Sequence, residues 1–171
     1  MVKILEELRQ QHQTLLNMIS EDKDIFDIIK LVEEIHHPLE EQALFPLIAD
    51  HPLLQEGGPL CTFFRGMELD LNPKSVAEEL LKRAYAQGLP RPHAYPQFTW
   101  LNEHNPLSMP MGEHVLSDEL AQALLFLKDQ SNEKLYKDFF VSLKNEYIRL
   151  LKLHIAKEDG CLFVLCEKLL S

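Results

Sequence analysis

Two segments of the chain carry the same residues in the same order. His36-His37-Pro38-Leu39-Glu40-Glu41-Gln42-Ala43-Leu44-Phe45 and His154-Ile155-Ala156-Lys157-Glu158-Asp159-Gly160-Cys161-Leu162-Phe163 each hold His-x-x-x-Glu, a second acid, and a closing Leu-Phe. On a helix, residues four apart lie on one face, one turn above the other. An imidazole nitrogen and a carboxylate oxygen at that spacing can reach one cation, or two adjacent cations if the carboxylate bridges them. One such pair is a common local contact, whereas two copies with the same tail on separate helices point to metal ligation. His12, in phase with Leu5, Leu8, Leu15 and Ile19, and His114, in phase with Ala121 and Leu124, add one inward histidine each. The chain thus reads as two halves, each a helix with one histidine followed by a helix with His-x-x-x-Glu. The candidate ligands are His12, His36, Glu40, His114, His154 and Glu158. An unpaired acid inside an apolar bundle costs several kcal/mol, and a cation compensates all six groups at once.

The doubled HH…EE leaves a register to choose. His36 and Glu40 share a face with Ile25, Ile29, Val32, Ala43 and Leu47, while His37 and Glu41 share the more polar face of Lys30, Glu33 and Glu34. Apolar phase therefore selects His36 and Glu40, and predicts that His37 and Glu41 are dispensable for metal loading. Glu41 and Asp159 stand beside the ligands and suit acceptors for ligand N–H groups. Four imidazoles and two carboxylates without a thiolate disfavour structural zinc and the oxygen-loving calcium and magnesium. Iron or manganese fits better. If both carboxylates bridge, each of two ions receives two histidines and two oxygens, leaving about two of six octahedral positions. His104 is the rival to His114, and Asp118, four residues after His114, is a further candidate. His51 and His93 fall in proline-rich sequence and read as loop residues. Cys161 and Cys166 read as core residues with redox sensing as the alternative, and Cys61 has no visible partner for nucleophilic chemistry.

Helices must present these groups. Residues 50–111 hold eight of the ten prolines and four of the six glycines, and the flanks are nearly free of both. The flanks carry apolar residues at helical spacing, which predicts helices over about 2–20, 22–49, 112–129 and 132–170. Four amphipathic helices need mutual partners and suggest an antiparallel bundle. Pro38 and Pro46 each cost about 3 kcal/mol in a helix interior, so the second helix is expected to kink near Pro38. The segment 50–111 is too long for a bare loop. Asn72 as N-cap, Pro73 at the first position and Gly88 as stop predict a short helix over 73–87. Tyr95, Phe98 and Trp100 are expected to pin the rest to the bundle. One domain, 1–171, accounts for the chain.

Composition narrows the partners. Seventeen Lys+Arg against 27 Asp+Glu leaves a net charge of −10, which argues against nucleic acid and against an anionic membrane surface. No apolar run reaches the roughly 20 residues of a membrane span. The segment MVKILEELRQQHQ lacks a signal-peptide apolar region, so the expected compartment is the cytoplasm.

The elements HHPLEEQALFP, LHIAKEDGCLF, RQQHQTLL and PMGEHVLSDEL resemble the hemerythrin-like, HHE cation-binding family, and they cover the four long helices. The resemblance implies an up-down-up-down four-helix bundle, with the 50–111 segment as an insertion between the second and third helices. It also implies a non-haem di-iron centre, two iron ions with an oxo or hydroxo bridge in preference to manganese or zinc, on His12, His36, Glu40, His114, His154 and Glu158. Oxygen-carrying hemerythrins use five histidines, one Glu and one Asp, with His-x-x-x-x-Asp as the last motif. The His-x-x-x-Glu here is more similar to iron–sulfur cluster repair and iron-sensing members, although Asp159 does stand five after His154. The expected role is therefore non-enzymatic: sensing, buffering or donating iron, with O2, NO or anions as small ligands and a protein partner or a second copy as macromolecular partner. A di-iron oxidoreductase, peroxidase-like or nitric-oxide handling, and an interaction module with a structural metal are the alternatives.

Overall fold

A computed structural model describes residues 3–55, 73–102, 104–129 and 132–171. Among the described residues every regular element is helical and none is a strand. Helix α1 spans Lys3–Ser20, α2 residues 25–49, α3 Pro52–Gln55, α4 Pro73–Ala86, α5 Ser108–Asp129 and α6 residues 133–169. The four long helices start and stop within a few residues of the positions read from periodicity, except that α5 begins earlier, taking Pro110 into its first turn. Asp24 caps α2 by accepting from the Phe26 N–H, and Asn132 caps α6 by accepting from the Leu135 N–H. Helix α4 lies where its sequence places it, although Asn72 falls outside the described residues. Its C-terminus is closed by the Leu89 N–H on the Ala84 carbonyl and the Gly88 N–H on the Tyr85 carbonyl. That closure needs Gly88 at φ +105°, a conformation open to glycine.

Helix α1 packs on α2 and α6, and α5 packs on the same two helices, while α4 lies against α5 and α6. Two apolar clusters fill the interior. One holds Leu15, Val32, Leu116, Leu120, Leu143 and Leu151. The other holds Leu5, Leu8, Leu44, Phe45, Met111 and Phe163, with Tyr95, Phe98 and Trp100 packed against it. The proline-rich segment is thus tied to the helices by its aromatic residues as expected. Each long helix passes from one cluster to the other through a polar layer: His12 between Leu8 and Leu15, His36 between Val32 and Leu44, His114 between Met111 and Leu116, and His154 between Leu151 and Leu162.

The prolines of α2 do not end the helix. The helix continues from 25 to 49, and each proline directly follows a widened turn. The His37 N–H reaches back five residues to the Val32 carbonyl, and the Phe45 N–H reaches back five to that of Glu40. Proline clashes with the carbonyl four residues before it, and an extra residue in that turn relieves the crowding. A third widened turn forms in α6, where the Phe163 N–H bonds the Glu158 carbonyl with no proline nearby. The two repeated segments therefore share a backbone device: each glutamate opens a widened turn and each Leu-Phe closes it.

Candidate metal centre

A widened turn at Val32–His36 ends at the histidine doublet. A regular helix would separate His36 and His37 by about 100°, which is why apolar phase selects only one of them. The structure keeps His36 in the interior as chosen and buries His37 beside it. Glu40 and Glu41 are buried as well. His12 from α1, His114 from α5, and His154 and Glu158 from α6 complete the set, all at most 4% exposed. Two groupings with ligand atoms mutually within 4.8 Å emerge: His37, Glu40, His114 and His154, and His12, His36, Glu40 and Glu158. The structure thus brings together all six sequence-read candidates and adds His37. Neither rival to His114 joins them. His104 is exposed in a turn, its backbone N–H on the Asn102 side chain, and Asp118 accepts from Gln122 at 2.6 Å.

Every histidine of the cluster has the same polarity. Nδ1 of His12 donates to Asp159 at 2.9 Å, that of His36 to the Gln11 carbonyl at 3.0 Å, and that of His37 to Glu33 at 3.2 Å. Nδ1 of His114 donates to Glu41 at 2.8 Å and that of His154 to Glu113 at 3.3 Å. With an acceptor on each Nδ1, the proton of a neutral ring sits there and the Nε2 lone pair turns inward, the tautomer that binds metal. Glu41 and Asp159 thus hold the places expected of them. Gln11, Glu33 and Glu113 were not singled out from sequence, although Glu33 stands four before His37 on the same helix. Glu33 is itself held by the hydroxyls of Ser117 and Tyr147, and Glu41 by the Tyr95 hydroxyl.

Inside this ring of acceptors the groups face one another. His12 Nε2 is 3.1 Å from His36 Nε2 and 3.1 Å from Glu158 Oε2. Glu158 Oε1 is 3.1 Å from His154 Nε2, so this carboxylate reaches both groupings. Glu40 Oε2 lies 3.3 Å from His114 Nε2 and 3.7 Å from His36 Nε2. Nε2 of His37, His114 and His154, both oxygens of Glu40 and Oε1 of Glu158 have no hydrogen-bond partner. Lone pairs at such range repel, and leaving them buried and unpaired is costly. A cation is the group that satisfies them all, so the residues fit a metal on the chemistry of their donors. The charges reflect the crowding. Burial, then the Glu158 charge, drives the Glu40 carboxyl well above its usual range. Burial, then the neighbouring His37 and His154, holds His114 well below its ordinary value, and burial takes His36 down to about 4. Burial works against the charge on Glu158, but the neighbouring His154 outweighs it and holds that carboxyl well below the carboxylate range.

The phenylalanines of the two repeats brace this layer. Phe163 stacks on His12 with centroids 5.1 Å apart, and Phe45 stacks on His114 at 5.8 Å. Each repeat thus supplies a histidine and a glutamate, and a phenylalanine that fixes a histidine from another helix. The cysteines stand apart from the ligands. Cys161 is a buried core residue as read, and it is also disulfide-bonded. Cys166 is a buried free thiol that burial pushes up to about 12, which leaves it unreactive. Cys61 lies outside the described residues. No helix among the described residues is long and apolar enough to cross a membrane. The chain matches no family model, no curated protein and no solved structure.

Proposed function

We propose that this chain is a hemerythrin-like four-helix bundle, α1, α2, α5 and α6, that binds two iron ions and uses them to sense, buffer or donate iron or to hold a small ligand. The observation that carries the reading is the common orientation: five Nδ1 atoms each meet an outward acceptor, so five Nε2 atoms converge with Glu40 and Glu158. Mixed imidazole and carboxylate donors without thiolate suit iron or manganese, and the packing of α1 and α5 each between α2 and α6 supports the bundle. His37, His114 and His154 would hold one ion and His12 and His36 the other, with Glu40 and Glu158 shared. This replaces the even split of two histidines per ion with three and two. Counted against six octahedral positions, the pair has the more room for an added ligand.

Iron held in this way supplies reversible binding of a small ligand or a one-electron change. The protein's part is to fix the imidazoles by their outer acceptors, to supply two negative charges against the cations, and to exclude bulk water with apolar clusters on both sides. Elemental analysis of protein purified anaerobically from iron-replete cells, with its optical spectrum, tests the reading. About two irons per chain and a charge-transfer band on oxidation are expected for a dinuclear site. One zinc and no iron after anaerobic reconstitution would overturn it. The full burial of the ligands favours one second reading, in which the metal only stabilises the fold. That reading predicts no change in the spectrum on adding azide, and a large fall in melting temperature on chelation.

A further inference from the structure

A cleft of about 240 Å³ opens between the end of α4, residues 90–93 and α5, and none of its lining residues belongs to the metal cluster. Two opposite charges, Arg91 and Glu119, face it. Both rest on one tyrosine: the Tyr85 hydroxyl donates to Glu119 Oε1, and the Arg91 guanidinium carbon stands 4.5 Å from the centre of the Tyr85 ring. Among the described residues no ion pair joins the two charges, and Arg91 makes no hydrogen bond. Its fork of donors, which matches a carboxylate, and the second oxygen of Glu119 are therefore left for an occupant. The rest of the lining is largely apolar, from Ala123, Leu125, Phe126 and two prolines. The walls are set before any ligand arrives. Pro90 and Pro92 flank Arg91, and a residue before proline is held extended. The His93 N–H donates to the Gln122 side chain at 2.8 Å, and Gln122 donates to Asp118 at 2.6 Å, which ties this segment to α5. Preorganisation of this kind lowers the ordering cost of binding. A simple anion in the cleft would meet Glu119, and a simple cation would meet Arg91. An uncharged apolar molecule would desolvate both charges without pairing either. A molecule with one carboxylate, one ammonium and an apolar body answers every part of the lining. The volume lies below the roughly 300–1,000 Å³ of sites for drug-sized ligands, so the occupant is small.

We propose that this cleft binds a free α-amino acid with an apolar side chain, its carboxylate on Arg91, its ammonium on Glu119 and its side chain against Ala123 and Phe126. The site stands apart from the metal cluster and does not rest on the proposed function. Titration of the full chain with L-leucine, followed by backbone-amide NMR, tests it. Saturable shifts are expected at Arg91, His93 and Ala123. Leucinamide, which lacks the carboxylate, and N-acetylleucine, which lacks the ammonium, should each bind the native chain more weakly by roughly tenfold or more. Arg91→Gln should erase the preference for leucine over leucinamide. Glu119→Gln, which keeps an acceptor for the Tyr85 hydroxyl, should erase the preference for leucine over N-acetylleucine. Absence of saturable shifts with leucine overturns the proposal. So does equal binding of leucine and either analogue by the native chain, or a preference that survives the matching substitution.

Discussion

The two ends of the candidate centre are built from the same parts and braced differently. At the three-histidine end, His37, His114 and His154 each donate to a carboxylate, Glu33, Glu41 or Glu113, and two of those are fastened in turn by tyrosine hydroxyls. At the two-histidine end, His12 leans on Asp159, which is 36% exposed and shared with Arg9, and His36 leans on the neutral amide of Gln11. A carboxylate behind an imidazole orients the ring and raises its basicity more than an amide does. The difference teaches that a doubled sequence motif need not give two equal halves. The three-histidine end is backed by three carboxylates, and the two-histidine end by one half-exposed carboxylate and one amide.

Removal of the shared ligand should have the largest effect. Glu40 belongs to both groupings, so Glu40→Ala should take metal content from about two ions per chain to near zero by elemental analysis. Retention of one ion would mean that Glu40 serves a single end. Next come the members of the doublet. His37→Ala should leave about one ion, lost from the three-histidine end, and His36→Ala about one, lost from the other. A full complement in His37→Ala would restore the register that apolar phase favours. The outer acceptors should matter less and unequally. Glu33→Gln and Glu41→Gln should each weaken metal affinity by roughly 10–100-fold in competition with a chelator, and Gln11→Ala by a smaller factor. Equal losses at both ends would remove the contrast in bracing. The smallest effect is expected for Pro38→Ala. The turn at Glu158–Leu162 widens without a proline, so Pro38→Ala should keep both ions and change stability by less than about 1 kcal/mol in denaturant unfolding.

Periodicity made the four long helices legible, because each buries an apolar stripe on both sides of its histidine. The six paired candidates were legible for the same reason, being the polar residues that stand in phase with those stripes. His37 was not. A reading at 3.6 residues per turn puts it on the face of Glu33, which looks polar and outward in sequence but is drawn inside by Ser117 and Tyr147. The clues were local: a proline directly after the doublet and an acid four residues before His37. Glu113 and Gln11 could not be found by spacing, since they reach His154 and His36 across helices. Tyr95 pins the proline-rich segment, as its sequence suggests. It also holds Glu41, which shows that part of that segment supports the ligand layer.

The central claim is a two-ion centre with three histidines on one ion and two on the other. Diffraction at the iron absorption edge from crystals of the iron-loaded chain tests it most directly. The account predicts two anomalous peaks, one among His37, His114 and His154 and the other beside His12 and His36, with Glu40 and Glu158 reaching both. A single peak, or two peaks with His37 turned away from both, would contradict it.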